Sequence, residues 1–254
     1  MSLTSASDTI DFNQVCFEAC NSEKRFMTFK RDPRFRIVLE HVERAQGEAY
    51  LQSILKRNPD FLWNHLEKFK TNDRIGSPHM ETYDRVGSIS PTTLRYVSCA
   101  LDLLEQFQDL NHLNIVEIGG GYGGLCKILF DVWPNIQSYT ICDIPIVNQL
   151  CAKYLKTFAC WNRVVHVNGL TMESPLAHKD LVISNYAFSE INQDGRRLYE
   201  EYVLKDSPRG YMMINYFGQL EKEQLEQFVK SWASSAVWHE KPEESCAVNF
   251  VWKL

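Results

Sequence analysis

The sequence predicts an α/β fold: an open, mostly parallel sheet of seven strands wrapped by helices, with an antiparallel hairpin at its C-terminal end and a helical extension before it. Three observations carry this. From Ser90 onward, short apolar runs alternate with stretches of helical period, the pattern of parallel strands buried on both faces. A run of glycines joins the first of those apolar segments to the helix after it, the place where an open α/β sheet builds its ligand crevice. The last two strand-like pieces have no helix between them, so they should pair antiparallel.

At 254 residues and 44% hydrophobic, the chain can bury one sizeable core and a small accessory piece, but not two full-sized domains. Residues 1–86 read as that accessory piece, a helical extension with a connecting loop, and 87–254 as the main domain. In the extension, Asn58 is placed as an N-cap and Pro59 as the first helical residue, with Phe61, Leu62, Leu66 and Phe69 recurring at helical spacing. Tyr50, Leu51, Ile54 and Leu55 repeat the period just before. Helices this short are not stable alone, so they must lie on the main domain, covering a substrate mouth or completing its core. Residues 71–90 are polar, with turn formers at Asn72-Asp73, Gly76-Ser77-Pro78 and Gly87-Ser88, and read as a long connection. Such loops often serve a site, which singles out His79, Tyr83, Asp84 and Arg85.

In the main domain Ser90-Pro91 starts a helix carrying Leu94, Val97, Leu101 and Leu104. Strands are predicted at 114–118, 138–142, 164–167, 181–184 and 211–215, with helices at 125–133, 146–157, 197–205 and about 224–232. The closing pair is Ala236-Val237-Trp238 and 246–252.

The stretch Val116-Glu117-Ile118-Gly119-Gly120-Gly121-Tyr122-Gly123-Gly124 leaves a strand and enters a helix, and its glycines let the backbone turn sharply and a ligand approach closely. Its spacing fits two patterns. Gly119-x-Gly121-x-x-Gly124 is a dinucleotide fingerprint, and Glu117-x-Gly119-x-Gly121-x-Gly123 is that of a methyltransferase; Asp143, ending the next strand, suits ribose hydroxyls in either. Glu117 separates them. A carboxylate is unfavourable beside a pyrophosphate seated on a helix start, whereas it suits the ammonium-bearing methionine half of S-adenosyl-L-methionine. An NAD-dependent oxidoreductase and a non-catalytic cofactor-binding module remain as alternatives.

Four strings together resemble the sugar O-methyltransferase family of class I methyltransferases: Ser90-Pro91-Thr92-Thr93-Leu94-Arg95-Tyr96, the glycine stretch, Asp143-Ile144-Pro145, and Ser184-Asn185-Tyr186-Ala187-Phe188-Ser189-Glu190. They span roughly residues 87–217. The resemblance implies a Rossmann-like class I methyltransferase fold and an S-adenosylmethionine-dependent O-methyltransferase acting on a small-molecule hydroxyl of a sugar or glycan precursor. Gly119, Gly121 and Gly123 would then bound the methionine and ribose, Glu117 would face the methionine amino end, and Asp143 would accept from the ribose hydroxyls. Asn168 and Gly169 could edge the adenine, or simply end a strand. Asn185 and Tyr186 would line the methyl side, the tyrosine ring offering a wall to the sulfonium.

Methyl transfer to a hydroxyl needs an aligned acceptor and a base. Glu190 is the leading candidate. His79 is a second catalytic candidate but needs its loop folded over, and His166 reads more simply as a structural histidine within a strand. Asp84, Glu190 and Asp194 could assemble a cation site, but no convincing carboxylate cluster is visible, and no metal is predicted. The Asn-Pro-Pro-Tyr string expected of an enzyme methylating exocyclic amines is absent at Asn185.

A net charge of -5 supplies no field for a phosphate backbone, which disfavours nucleic acid. No apolar run approaches the roughly 20 residues of a membrane span, and Met1-Ser2-Leu3-Thr4-Ser5 lacks the apolar stretch of a signal peptide. A soluble, cytoplasmic protein is expected. None of the eight cysteines forms a Cys-x-x-Cys pair, so they are read as reduced, Cys16 and Cys20 included. Whether the N-terminal helices form a lid or a homo-oligomer contact is left open.

Overall fold

A computed structural model describes residues 9–176, 178–215, 222–239 and 247–253. The polar start at 1–8 and Cys246, the first residue of the predicted closing strand, lie outside them. The chain opens with α1 (Ile10–Asn21), the one-turn helices α2 (Glu23–Phe26) and α3 (Pro33–Arg36), then α4 (Arg44–Arg57) and α5 (Pro59–Lys70). α5 follows from its cap: the Asn58 side chain accepts from the Phe61 amide at 3.1 Å, Pro59 takes the first turn, and Phe61, Leu62, Leu66 and Phe69 are all buried.

Residues 71–90 are not the plain connection the sequence suggests. After a 3-10 turn they form an antiparallel hairpin of β1 (Glu81–Tyr83) and β2 (Gly87–Ile89). Three-residue strands are too short for a period to be read, and Tyr83 and Ile89, both buried, are their only inward anchors.

The main domain then runs α6 (Pro91–Phe107), β3 (Asn114–Ile118), α7 (Gly124–Val132), β4 (Ser138–Asp143), α8 (Pro145–Leu155), β5 (Val164–Asn168), β6 (Leu181–Asn185), α9 (Ala187–Glu190), α10 (Gln193–Tyr199), β7 (Arg209–Asn215), α11 (Lys222–Trp232), β8 (Val237–His239) and β9 (Ala247–Lys253). The strands lie in the order β5-β4-β3-β6-β7-β9-β8. β5, β4, β3, β6 and β7 are mutually parallel, while β9 runs antiparallel to both its neighbours.

Alternation along the strands divides the core into two layers. Ile115, Tyr139, Ile141, Leu181, Ile183 and Tyr211 face the layer that contains the N-terminal helices and α6, α7 and α8. Val116, Ile118, Cys142, Val182 and Met212 face Phe188, Tyr199, Val203 and Val229 on the other side. The extension belongs to the first layer: Phe12, Phe26, Phe29, Phe35, Phe61 and Phe69 are each at most 4% exposed within it. At roughly 1.5–3 kcal/mol per buried side chain, these six rings hold the extension against the sheet far more firmly than any surface ion pair would.

Candidate active site

β3 ends where the glycine turn begins. Gly119 and Gly121 have φ of 74° and 55°, a region that only glycine enters without strain. A Cβ on Gly119 would collide with Ala187, and one on Gly121 would press on Leu39. The turn is pinned from the neighbouring strand: Gly119 N donates to the Cys142 carbonyl at 2.9 Å, and Gly121 N donates to Asp143 Oδ2 at 2.9 Å. Asp143 Oδ1 accepts from the Ile144 amide at 2.8 Å. Each carboxylate oxygen can accept more than once, so Asp143 both braces the turn and can take ribose hydroxyls.

Glu117, 2% exposed, accepts a hydrogen bond from Tyr139 Oη at 2.9 Å. Burial, reinforced by the nearby Asp143 charge and opposed by the Tyr139 hydrogen bond, pushes its carboxyl up to about 8. Without a cation beside it the group is largely protonated at neutral pH.

From this turn opens a cavity of about 1400 Å³ lined by Glu117, Gly119, Gly120, Gly121, Asp143 and Gly169 at one part of its wall, and by residues of α4, α6, β6 and β7 at another. α6 presents Arg95, Ser98, Cys99 and Asp102, spaced so that they share one face of the helix. Asp102 accepts from Tyr211 Oη and from Arg57 Nη2, each at 2.6 Å. Ser98 is 1% exposed, and its hydroxyl has no hydrogen-bond partner among the described residues.

The extension forms a further wall through Pro33, Ile37, Leu39, His41, Gln46 and Tyr50. Arg95 ties it down, donating to the Leu39 carbonyl at 3.2 Å and approaching His41 Nε2 at 3.4 Å. A guanidinium only donates, so Nε2 is the unprotonated nitrogen. Burial and the Arg95 charge lower the imidazole to about 4, which leaves His41 neutral at pH 7. Arg95 also lies 5.7 Å from the ring centres of Tyr96 and Tyr186.

Of the residues singled out from sequence, Glu117, Gly119, Gly121, Asp143, Asn185, Tyr186 and Glu190 all line this cavity. Tyr186 holds φ at 69°, a strained conformation of the kind that clusters at functional sites. Gly123 shapes the start of α7 from behind, with φ of 90° and the side chains of Cys151 and Leu155 against it.

Two of the residues singled out from sequence, His79 and Asn168, are not among the lining residues. His79, just before β1, is exposed and hydrogen-bonded to Glu81 at 2.8 Å. Asn168 spends its side-chain oxygen on the Leu170 amide at 3.0 Å, and it is Gly169 and Leu170 that reach the cavity. His166 stays on β5, its Nδ1 without a partner among the described residues, outside the lining. Asp84 is exposed on its hairpin, and among the described residues no three Asp, Glu, His or Cys side chains converge as a metal site.

His41, Ser98, Asp102 and Tyr211 escaped the sequence reading. The polar interruptions Arg95, Ser98 and Asp102 on an otherwise apolar helix were a usable signal. Nothing in sequence marks His41, which reaches the cavity only through packing of distant segments.

Residues 93–194 match a family model described as an O-methyltransferase domain. No curated protein matches the chain. Among solved structures it is similar to a geranyl diphosphate C-methyltransferase from Streptomyces coelicolor A3(2), at 8% identity and a TM-score of 0.49, covering 65% of this chain and 80% of that one. It is also similar to PigF with SAH, at 14% identity and a TM-score of 0.45, covering 81% of this chain and 73% of that one. At these identities and scores the likeness decides nothing about substrate. The matched domain, on a Rossmann-like class I methyltransferase fold, makes the chain an S-adenosylmethionine-dependent methyltransferase with S-adenosylmethionine as its cofactor. It favours neither a nicotinamide enzyme nor a non-catalytic module. No helix among the described residues is long and apolar enough to cross a membrane.

Proposed function

We propose that this enzyme methylates a hydroxyl of a small polyhydroxylated acceptor, a sugar or glycan precursor. In this reading 87–254 is the catalytic domain, a seven-stranded sheet closed by an antiparallel hairpin, and 1–86 a cap that completes its substrate chamber. The observation that carries the proposal is the cavity itself. At about 1400 Å³ it exceeds the roughly 300–1,000 Å³ of a single-ligand pocket, and it runs from the glycine turn into a chamber of tyrosines and hydroxyl-binding groups. Tyr50, Tyr96 and Tyr186 supply flat faces, and Ser98, Asp102 and Tyr211 supply polar partners.

The cradle of Gly119 and Gly121, with Glu117 and Asp143 beside it, suits the methionine and ribose portions of the cofactor. When bound, the cofactor supplies an electrophilic methyl, so the chain's own task is to align the acceptor oxygen and take its proton. Glu190, at the cavity wall after β6, is assigned as that base. His41, a neutral imidazole in the cavity wall, is the second candidate; with its Nε2 lone pair turned to Arg95 and its basicity lowered, it is the weaker base.

The test is transfer of radiolabelled methyl from S-adenosylmethionine to a panel of glycosides, myo-inositol and catechol. Glu190→Gln should lower kcat by roughly 10²–10⁴-fold while leaving S-adenosylhomocysteine binding intact. If instead His41→Ala removes the turnover and Glu190→Gln does not, the base is His41. Methylation of amines alone would overturn the hydroxyl reading.

A further inference from the structure

We propose that Lys30 is a positioning residue for the cofactor: buried behind the glycine turn, it locks that turn and the N-terminal wall of the cavity into one unit without touching the cavity itself. The inference rests on the reading of the glycine turn as the cofactor site.

Lys30 is fully buried, at 0% exposure. Its ammonium donates to a backbone carbonyl, that of Asn72, at 2.8 Å, and lies 4.2 Å from the centre of the Tyr122 ring and 5.0 Å from that of Tyr154. Glu40 and Asp73 act on it as charges from farther away. Removing one member of a buried charge cluster leaves its partners uncompensated and destabilises the fold, so Lys30 also contributes to stability, facing Glu40 and Asp73 as it does. What the lysine specifies besides is geometry.

The ring nearest its ammonium belongs to the turn. Tyr122 sits between Gly121 and Gly123, both at positive φ, so the ring that Lys30 holds belongs to the stretch of the cofactor loop whose left-handed backbone depends on glycine. Tyr122 is absent from the cavity lining; its ring faces backward onto Phe29, Tyr96 and Tyr154. Asn72 completes the clamp, donating to Thr93 Oγ1 at 2.7 Å and Tyr122 Oη at 3.3 Å and accepting from Tyr154 Oη at 2.7 Å.

The space for Lys30 is specific. Gly76, with φ of 86°, accepts the Lys30 amide at its carbonyl at 3.0 Å, and a Cβ there would stand 2.6 Å from Lys30 Cγ. Nine residues beyond the lysine, the same segment lays Leu39 on the opposite side of the turn, its Cδ1 3.0 Å from where a Cβ on Gly121 would be. The glycine turn is thus held between Lys30 behind and Leu39 in front.

The experiment uses the full chain with Lys30→Met, which keeps the length of the stem and removes the charge. Thermal unfolding should show a lowered Tm, because Glu40 and Asp73 lose their counter-charge, while at a temperature where the variant is folded the Kd for S-adenosylhomocysteine rises about tenfold or more. A folded variant with unchanged affinity overturns the proposal. Amide exchange of the unsubstituted protein, with and without S-adenosylhomocysteine, tests it even where the variant fails to fold. Exchange at Lys30 and across 72–76 should slow on binding, although these residues lie outside the cavity; protection confined to the cavity lining overturns it. Failure of the unsubstituted protein to bind S-adenosylhomocysteine at all would remove the cofactor-site reading, a result distinct from loss in the variant alone.

Discussion

Glu117 was readable as a carboxylate unsuited to a pyrophosphate, but its protonation belongs to the folded protein, where Tyr139 is its hydrogen-bond partner and the Asp143 charge lies nearby. Its folded value, about 8, lies above the ordinary 4.5. The stability it contributes is therefore fully present below pH 4.5 and lost as pH rises through about 8. Thermal unfolding of the ligand-free protein should show its Tm falling across that window, and Glu117→Gln should flatten the decline. If the cofactor's ammonium ionises this carboxyl, S-adenosylhomocysteine binding at neutral pH releases a proton, seen as a binding heat that varies with the ionisation heat of the buffer. His41 and Asp102 show the other side of this scale: neither residue type nor neighbours in sequence reveal that one meets Arg95 and the other Tyr211.

Among the elements, those with a full period or a cap were legible. α5 has its Asn58 cap, its proline and four buried apolar residues, and the parallel strands announce themselves as apolar runs because both faces are covered. The β1–β2 hairpin was not legible, since three residues make no period. The glycine turn was legible in spacing, but what forbids side chains there is tertiary. Gly119→Ala would drive its Cβ into Ala187 on α9 at a φ of 74°. Calorimetry should find S-adenosylhomocysteine binding lost in that variant, with β3 and α9 forced apart and the Tm lowered. Binding at the unsubstituted affinity would mean that the turn does not shape the pocket.

For the whole molecule, the notable feature is that the N-terminal helices share the first core layer with the sheet and wall the cavity. Deletion of residues 1–42 would remove Phe12, Phe26, Phe29 and Phe35, all at most 3% exposed, and uncover Tyr122 and the back of the turn. At roughly 1.5–3 kcal/mol per ring, the loss rivals the 5–15 kcal/mol by which a domain is stable. The truncated chain is expected to aggregate or bind a hydrophobic dye, and a cooperative unfolding transition near that of the full chain would show the extension to be dispensable.

By itself the sequence determined the class of fold, the place of the glycine turn and the strand-end residues Asp143, Asn185 and Tyr186, because these follow from local periodicity and from turn geometry that only glycine satisfies. The tertiary structure decided the rest: that His79 lies off the cavity, that α6 presents Arg95, Ser98 and Asp102 to it, and that Leu39, His41 and Lys30 of the extension meet the turn. Those contacts join segments 50 to 109 residues apart, and no local pattern encodes a meeting that only the burial of a shared core brings about.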